Sequence, residues 1–242
     1  MNTELIIILT VGFASFVRGV SGFGAALIIM PVLSGLTSIY TAAPLVAILG
    51  LTTDTFLCLY YRRSFDRKIV VNLWLGSALG IPLGFLVLRF FPANWMLMSL
   101  GLMITAYAVY ALCDPVMPVL KSQKWIYGTG FVCGALGGSY NMPGPPIILY
   151  GNSQRWPQEK FKSNLSVFFW GNAVLVVSGH VLDNRLSGTV LQQYVIAIPS
   201  LIIGLFLGIA LSKFFNPVFF RKIVLVILVG IGIRLFVLGF SS

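Results

Sequence analysis

The chain alternates long apolar runs with short, mostly basic connectors. The runs recur from end to end at close to twenty residues. That is the length at which a helix crosses a hydrocarbon core of about 30 Å. Residues 5–36 form the first, followed by 41–61, 69–91 and 95–113. A polar connector, 114–124, separates these from 125–150, 161–182, 189–215 and 218–240.

Two of the eight runs are interrupted by residues that helices avoid. Arg18-Gly19-Val20-Ser21-Gly22-Phe23-Gly24 breaks the first, and Gly137-Gly138-Ser139-Tyr140-Asn141-Met142-Pro143-Gly144-Pro145-Pro146 breaks the fifth. Glycine exposes backbone and proline removes a donor, so a helix should stop and another begin at each place. As one helix, the first run would be about 45 Å long at 1.5 Å per residue. Two half-helices meeting near the midplane fit a bilayer better. Broken backbone is tolerated in lipid only where it is buried in protein or lines a cavity. One such break in each half of a chain is the sequence pointer to a transporter's binding site.

The two halves repeat. Gly12-Phe13, Gly19 and Ser21 recur at a fixed offset as Gly130-Phe131, Gly137 and Ser139. Thr53-Asp54 falls opposite Gly171-Asn172 at the same offset, and Gly80/Gly84 resembles Gly204/Gly208. Residues 1–120 and 121–242 therefore read as two repeats within a single integral membrane domain. The glycine pairs read as packing seams between helices. Pro82 and Pro199 should kink the helices that carry them.

Composition agrees: 58% of residues are hydrophobic and 9% charged, where a soluble domain has roughly a quarter charged. A net charge of +10 would suit nucleic acid, but the basic residues lie in short connectors, where they report topology instead. If all eight runs cross fully, these residues divide nearly evenly between the two sides. If each broken run is re-entrant, the connectors holding Arg62, Arg63, Arg67, Lys68, Lys121, Lys124, Arg155, Lys160, Lys162, Lys213, Arg221 and Lys222 share one side, with Arg89, Arg185 and Arg234 on the other. The second arrangement obeys the positive-inside rule. It predicts an all-α polytopic membrane protein of two inverted repeats, each a broken, re-entrant segment plus three spanning helices, with both termini outside. The start, Met1-Asn2-Thr3-Glu4, lacks the basic region of a signal peptide. Cys58, Cys113 and Cys133 sit in apolar runs and read as small buried hydrophobes, not as a disulfide or metal set.

The candidate chemistry gathers at the breaks. Ser21 can cap a helix starting near Gly22, leaving the N–H groups of Phe23 and Gly24 for a ligand. A helix start also presents the positive end of its dipole, which suits an anion. Asn141, beside Ser139 and Tyr140, can cap in the same way at the second break. Pro143, Pro145 and Pro146 are tolerated in the first turn of a following helix. Inverted repeats would aim the two helix starts at one another across a central cavity. Arg18 precedes the first break, and its planar fork suits the oxygens of a sulfonate or carboxylate. Asp54 is the acidic residue well inside an apolar run. It is either a proton carrier coupling transport to a gradient or a fixed counter-ion to Arg18. Ser163, Asn164 and Asn172 are polar positions that either line the cavity or bond neighbouring helices. Tyr140 either closes over a ligand or packs. His180, near a run's end, reads as an interfacial residue.

The run Gly19-Val20-Ser21-Gly22-Phe23-Gly24 with Pro31, and its second copy ending Pro143-Gly144-Pro145-Pro146, resemble the TauE/SafE sulfite exporter family, also called the toluenesulfonate uptake permease family. The resemblance covers nearly the whole chain. It implies movement of a small sulfur-containing or organic anion, such as sulfite or a sulfonate, across the bacterial inner membrane. Phe23 and Asn141-Met142 stand where many relatives have further small residues, which leaves the particular anion open.

These patterns predict a secondary transporter of a small sulfur anion working by alternating access, with protons as a candidate coupling ion. An anion channel of the same fold and a carrier of small carboxylates are its rivals. An intramembrane enzyme lacks a metal-ligand pair or a nucleophile–base motif. The expected partners are the anion and the bilayer, with no nucleic acid and no cofactor. A homo-oligomer is left open.

Overall fold

The computed structural model describes residues 3–114, 117–120 and 122–241, and the side chains of 217 and 218 are left aside. Lys121, one of the connector residues counted above, lies outside the described residues, as do parts of the 114–124 connector. All regular structure among the described residues is helical. In order, the elements are α1 (Thr3–Ser21), α2 (Ala25–Ser34), α3 (Ile39–Tyr61), α4 (Arg67–Phe90), α5 (Ala93–Leu112), α6 (Gln123–Tyr140), α7 (Gly144–Ser153), α8 (Gln158–Leu182), α9 (Gly188–Leu211) and α10 (Pro217–Ser241). Seven helical stretches among the described residues are long and apolar enough to cross a membrane: α1, α3, α4, α5, α8, α9 and α10, with short 3₁₀ turns extending α3 and α9. Pro82 and Pro199 sit inside uninterrupted helices, α4 and α9.

Both interrupted runs break where expected, but not in the middle. At 19 residues α1 is about 28 Å long, close to a full crossing. Its partner α2 has 10 residues. The second break divides its run the same way, with α6 of 18 residues and α7 of 10. In place of the expected half-helices meeting near the midplane, each run is a long helix followed by a short one. The physical reason is local: the first positions with left-handed backbone are Gly22 and Gly24, past the middle of the run. Glu4 in the first turn of α1 and Arg18 in its last complement the helix dipole at both ends.

The helices group into two compact units, each drawing on both halves of the sequence. The first comprises residues up to Leu49, Phe91–Pro115 and Arg185–Ser242. Within it α1 packs along α9, and α5 along α10. The second comprises Gly50–Phe90 and Val116–Asn184, and its main seam joins α4 to α6. Both glycine patterns lie in these seams. A methyl group built on Gly80 would collide with the Phe131 carbonyl, and one on Gly84 with the Ala135 carbonyl. Gly130, Gly134 and Gly138 return the approach against the carbonyls of Leu73, Ser77 and Ile81. In the first unit, Gly204 meets the Gly12 carbonyl, Gly208 the Phe16 carbonyl, and Gly19 the backbone of Leu205 to Ile209. Backbones in such contact gain dispersion and weak Cα–H···O bonds without ordering long side chains. Leu5, Leu9 and Phe13 of α1 form an exposed stripe at helical spacing, opposite buried Ile7, Val11 and Ala14. An apolar exposed stripe of this kind suits lipid.

The cysteines are free thiols, but only Cys133 is buried; Cys58 is half-buried and Cys113 is exposed. Cys113 caps the end of α5, where the apolar run opens into the polar connector. His180 is 1% exposed, its ring 4.9 Å from that of Phe85 and edge-on to it. It is a packed residue in the last turn of α8.

Candidate functional site at the helix breaks

In the first unit, α1 ends at Ser21 and α2 begins at Ala25. Gly22 (φ 83) and Gly24 (φ 100) take left-handed conformations that other residues adopt only with strain. The Gly22 N–H donates to the Arg18 carbonyl at 2.7 Å and closes the last turn of α1. Ser21 Oγ lies 2.7 Å from both the Val17 and the Phe23 carbonyl, and its one proton serves them in turn. The Phe23 N–H donates to the same Oγ at 3.4 Å.

Ser21, expected to cap the following helix, instead bonds within the helix it ends and the turn just after it. A serine hydroxyl competes readily for the carbonyl four residues back. The N-cap of α2 is Gly24, with no side-chain cap. The first-turn N–H groups of α2 therefore receive no side-chain cap, at the positive end of its dipole. Arg18 is 6% exposed and engaged inside the protein.

A small cavity of about 20 Å³ lies at this start. Ser21, Phe23, Gly24 and Leu27 contribute from the break; Tyr107 reaches it from α5 and Arg221 from α10. Phe220, Val224, Leu225 and Leu228 of α10 complete an apolar wall. The Tyr107 hydroxyl is buried with no hydrogen-bond partner, in a residue 6% exposed. Arg221 faces Asp114 at 3.9 Å, across which attraction is weak because the carboxylate is 82% exposed. Neither Tyr107 nor Arg221 was singled out by sequence. Their runs read as plain spans, and only the pairing of α5 with α10 brings them to the break.

In the second unit, α6 ends at Tyr140 and α7 begins at Gly144. Asn141 was expected to cap α7. It sits instead past the end of α6 in left-handed backbone (φ 57), its N–H on the Gly137 carbonyl at 2.9 Å, with the Met142 N–H on the Leu136 carbonyl at 3.1 Å. This paired closure needs a left-handed residue just beyond the helix, and asparagine is the best non-glycine choice. The N-cap of α7 is Pro143, with no side-chain cap, and Pro145 and Pro146 occupy its first turn. Both lack an N–H, so this start offers fewer donors than that of α2. Ser139 Oγ donates to the Ala135 carbonyl at 2.8 Å, and Tyr140 is 6% exposed.

The other predicted polar residues divide. Asn172 Nδ2 donates to Ser77 Oγ at 2.6 Å, bonding α8 to α4. Its Oδ1 would lie 2.9 Å from a methyl built on Gly137, so it stands beside the end of α6. Asn164 Oδ1 accepts from the Asp66 N–H at 2.7 Å. Its neighbour Ser163 donates to the Tyr61 carbonyl and accepts from the Ser64 N–H. These two residues anchor the connector before α4. In that connector, Asp66 accepts from Lys160 at 3.0 Å and from the Ile69 N–H at 3.3 Å. The Lys160 hydrogen bond holds the Asp66 carboxyl below its ordinary range. Asp54 is 6% exposed within α3. Among the described residues, no group of three or more His, Cys, Asp or Glu side chains is placed to hold a metal ion.

Seven membrane-length helices, two broken helical segments and glycine-lined seams define a multi-pass α-helical membrane protein. The family model for the sulfite exporter TauE/SafE matches residues 7–235, and the chain belongs to that family. It is 26% identical over 238 residues to a Cupriavidus necator protein named as a probable sulfite/organosulfonate exporter TauE; the match covers 96% of this chain and 93% of that one. No solved structure matches the chain.

Proposed function

We propose that the protein is a secondary transporter that exports a small sulfur oxyanion, sulfite or an organosulfonate, across a bacterial inner membrane by alternating access. The observation that carries this reading is the start of α2: first-turn N–H groups without a side-chain cap, a buried Arg18 in the last turn of α1 just before the break, and a cavity at the helix start. A helix start and a guanidinium together supply the donors and positive potential that a tetrahedral or pyramidal oxyanion needs. The family and the name of the Cupriavidus necator relative support the substrate class. Asp54 is the proposed proton carrier, because it is an acidic residue buried within the spanning helix α3. The two-repeat reading draws support from the exchange of helices, since α9 packs on α1 as α4 packs on α6.

The test is flux of labelled sulfite and of a labelled alkanesulfonate in proteoliposomes, with and without a pH gradient. Saturable flux with counterflow supports the carrier; flux without counterflow supports a channel. Gradient dependence that disappears in Asp54→Asn supports proton coupling. Absence of flux of either anion in folded protein overturns the substrate class.

A further inference from the structure

The corner where α3 gives way to α4 holds more positive charge than its own acids pair. Arg62 and Arg63 stand in the short 3₁₀ turn after α3, and Arg67 and Lys68 open α4. All four are exposed. The first two turns of α8 are fastened to the same corner. Ser163 bonds the Tyr61 carbonyl and the Ser64 N–H, Asn164 accepts from the Asp66 N–H, and Lys160 donates to the Asp66 carboxylate at 3.0 Å. These bonds bring Lys160 and Lys162 to the corner that holds the four connector cations. Lys162 is half-buried, with its Nζ 5.5 Å from the centre of the Tyr61 ring.

Six cations therefore meet two acids, Asp66 and Glu159, and Asp66 is taken by Lys160. Among the described residues, no carboxylate pairs with Arg62, Arg63, Arg67, Lys68 or Lys162. Like charges this close repel unless an anion lies between them. The positive-inside rule asks only that such residues share a side of the bilayer. It does not ask for bonds from α8 that gather them at one corner. Apolar side chains adjoin the charge. Leu59 and Tyr60, in the last turn of α3, are 57% and 62% exposed, and Phe65 is exposed between the two cation pairs in the chain. A soluble anion matches the cations alone. A phospholipid matches both, because its phosphate and acyl chains meet at the level where an apolar span ends.

We propose that Arg62, Arg63, Arg67, Lys68 and Lys162 form a binding site for the headgroup of an anionic phospholipid, with Leu59, Tyr60 and Phe65 against its acyl chains. The guanidinium forks of Arg62 and Arg63 take phosphate oxygens in pairs. Lys162 supplies a point charge held over Tyr61. The lipid neutralises the connector and so steadies the joint between the end of α3, the start of α4 and α8. The site does not depend on which anion is transported.

The experiment is thermal unfolding of the purified full-length protein in detergent over a concentration series of cardiolipin, phosphatidylglycerol, phosphatidylcholine or inorganic phosphate. Cardiolipin, with two phosphates, should stabilise at a concentration at least about tenfold below that of phosphatidylcholine, with phosphatidylglycerol between them. Arg62→Gln with Arg63→Gln should raise the cardiolipin concentration required by at least about tenfold, since each cation near an anionic lipid surface contributes roughly fivefold. Lost charge also bears on how the chain inserts. Arg62→Lys with Arg63→Lys keeps the charge and should weaken cardiolipin by about threefold, through loss of the paired oxygen contacts. Lys162→Gln should weaken it by about threefold to tenfold. Arg89→Gln with Arg234→Gln removes two exposed arginines from outside the corner and should leave the response within about twofold. Equal responses to cardiolipin and phosphatidylcholine, or stabilisation by inorganic phosphate equal to that by cardiolipin, overturn the lipid site. Equal weakening in the Arg89 and Arg234 double variant overturns its location. An unchanged cardiolipin response in both the Arg62→Gln, Arg63→Gln pair and Lys162→Gln overturns the site outright.

Discussion

The two helix breaks share an architecture and differ in chemistry. Each follows a long helix with an uncapped ten-residue one. Each carries a serine at the same offset, Ser21 and Ser139, bonding the carbonyl four residues back. The first has Arg18 where the second has Leu136. The first helix start runs Ala25-Ala26-Leu27, with every N–H present; the second runs Gly144-Pro145-Pro146, with two missing. The same contrast extends into the next spans, with Asp54 against Asn172, whose amide is committed to Ser77. Duplication can preserve a backbone device while charge and donors are kept in only one copy. The anion-binding role we propose therefore belongs to the first break, with the second as a stiffened counterpart.

The sharpest way to break this comparison is to neutralise the charge on one side only. Arg18→Ala should cut sulfonate-induced stabilisation and flux by at least about a hundredfold, or roughly 2.7 kcal/mol. Leu136→Ala, at the matching position, should leave both within about threefold. Equal losses would erase the distinction. Next in size is backbone strain. Gly24 has φ 100 and no atom within 4 Å of a built methyl, so Gly24→Ala should cost about 1–2 kcal/mol from conformation alone. Asn141→Gly should be neutral or slightly stabilising, because its left-handed backbone suits glycine at least as well. Thermal unfolding in detergent checks both.

Pro145→Ala then restores one N–H to the second start. It should change stability by less than about 1 kcal/mol and leave sulfonate affinity within twofold. A clear gain in affinity would show that the second start also meets the anion and that the prolines restrain it. The smallest effect concerns pH. The folded Asp66 carboxyl is held low, chiefly by its hydrogen bond from Lys160. Its contribution is fully present above the ordinary carboxylate range and is lost as the pH falls through the lower, folded value. Both partners are about a third exposed, so solvent screens the pair to a few tenths of a kcal/mol. Asp66→Asn should flatten the acid limb of stability by that amount. At neutral pH, Asp66→Ala should cost about 1 kcal/mol more, through loss of the bond to the Ile69 N–H. The entry to α9 is capped by neutral Ser187 on the Val190 N–H at 3.4 Å, and Ser187→Ala should show no such acid dependence.

Much of the fold was legible in the sequence because lipid enforces simple rules. Run length gave the spans to within three residues at most ends. Gly80/Gly84 and Gly204/Gly208 announced seams that the structure places against carbonyls of α6 and α1. The breaks were legible because Gly22, Gly24 and the prolines have few other uses inside an apolar run. The caps were not. Ser21 and Asn141 have the right chemistry for an N-cap, but each found a closer partner in the preceding helix, and that competition is decided by a few degrees of backbone. Tyr107 and Arg221 were missed for a different reason. Nothing local marks them, and their meeting depends on which helices pair across more than a hundred residues of chain.

The pairing of α1 with α9 also sets an order of events during synthesis. The surface of α1 carrying Gly12 and Gly19 is shaped for a helix that begins only at Gly188. At about 5–20 residues per second, the ribosome needs on the order of ten to thirty seconds to supply it. The α4–α6 seam, by contrast, has its two helices made within a few seconds of each other. The newborn first helix must therefore wait in lipid or beside the insertion machinery with its narrow face uncovered, while the second unit is completed ahead of it.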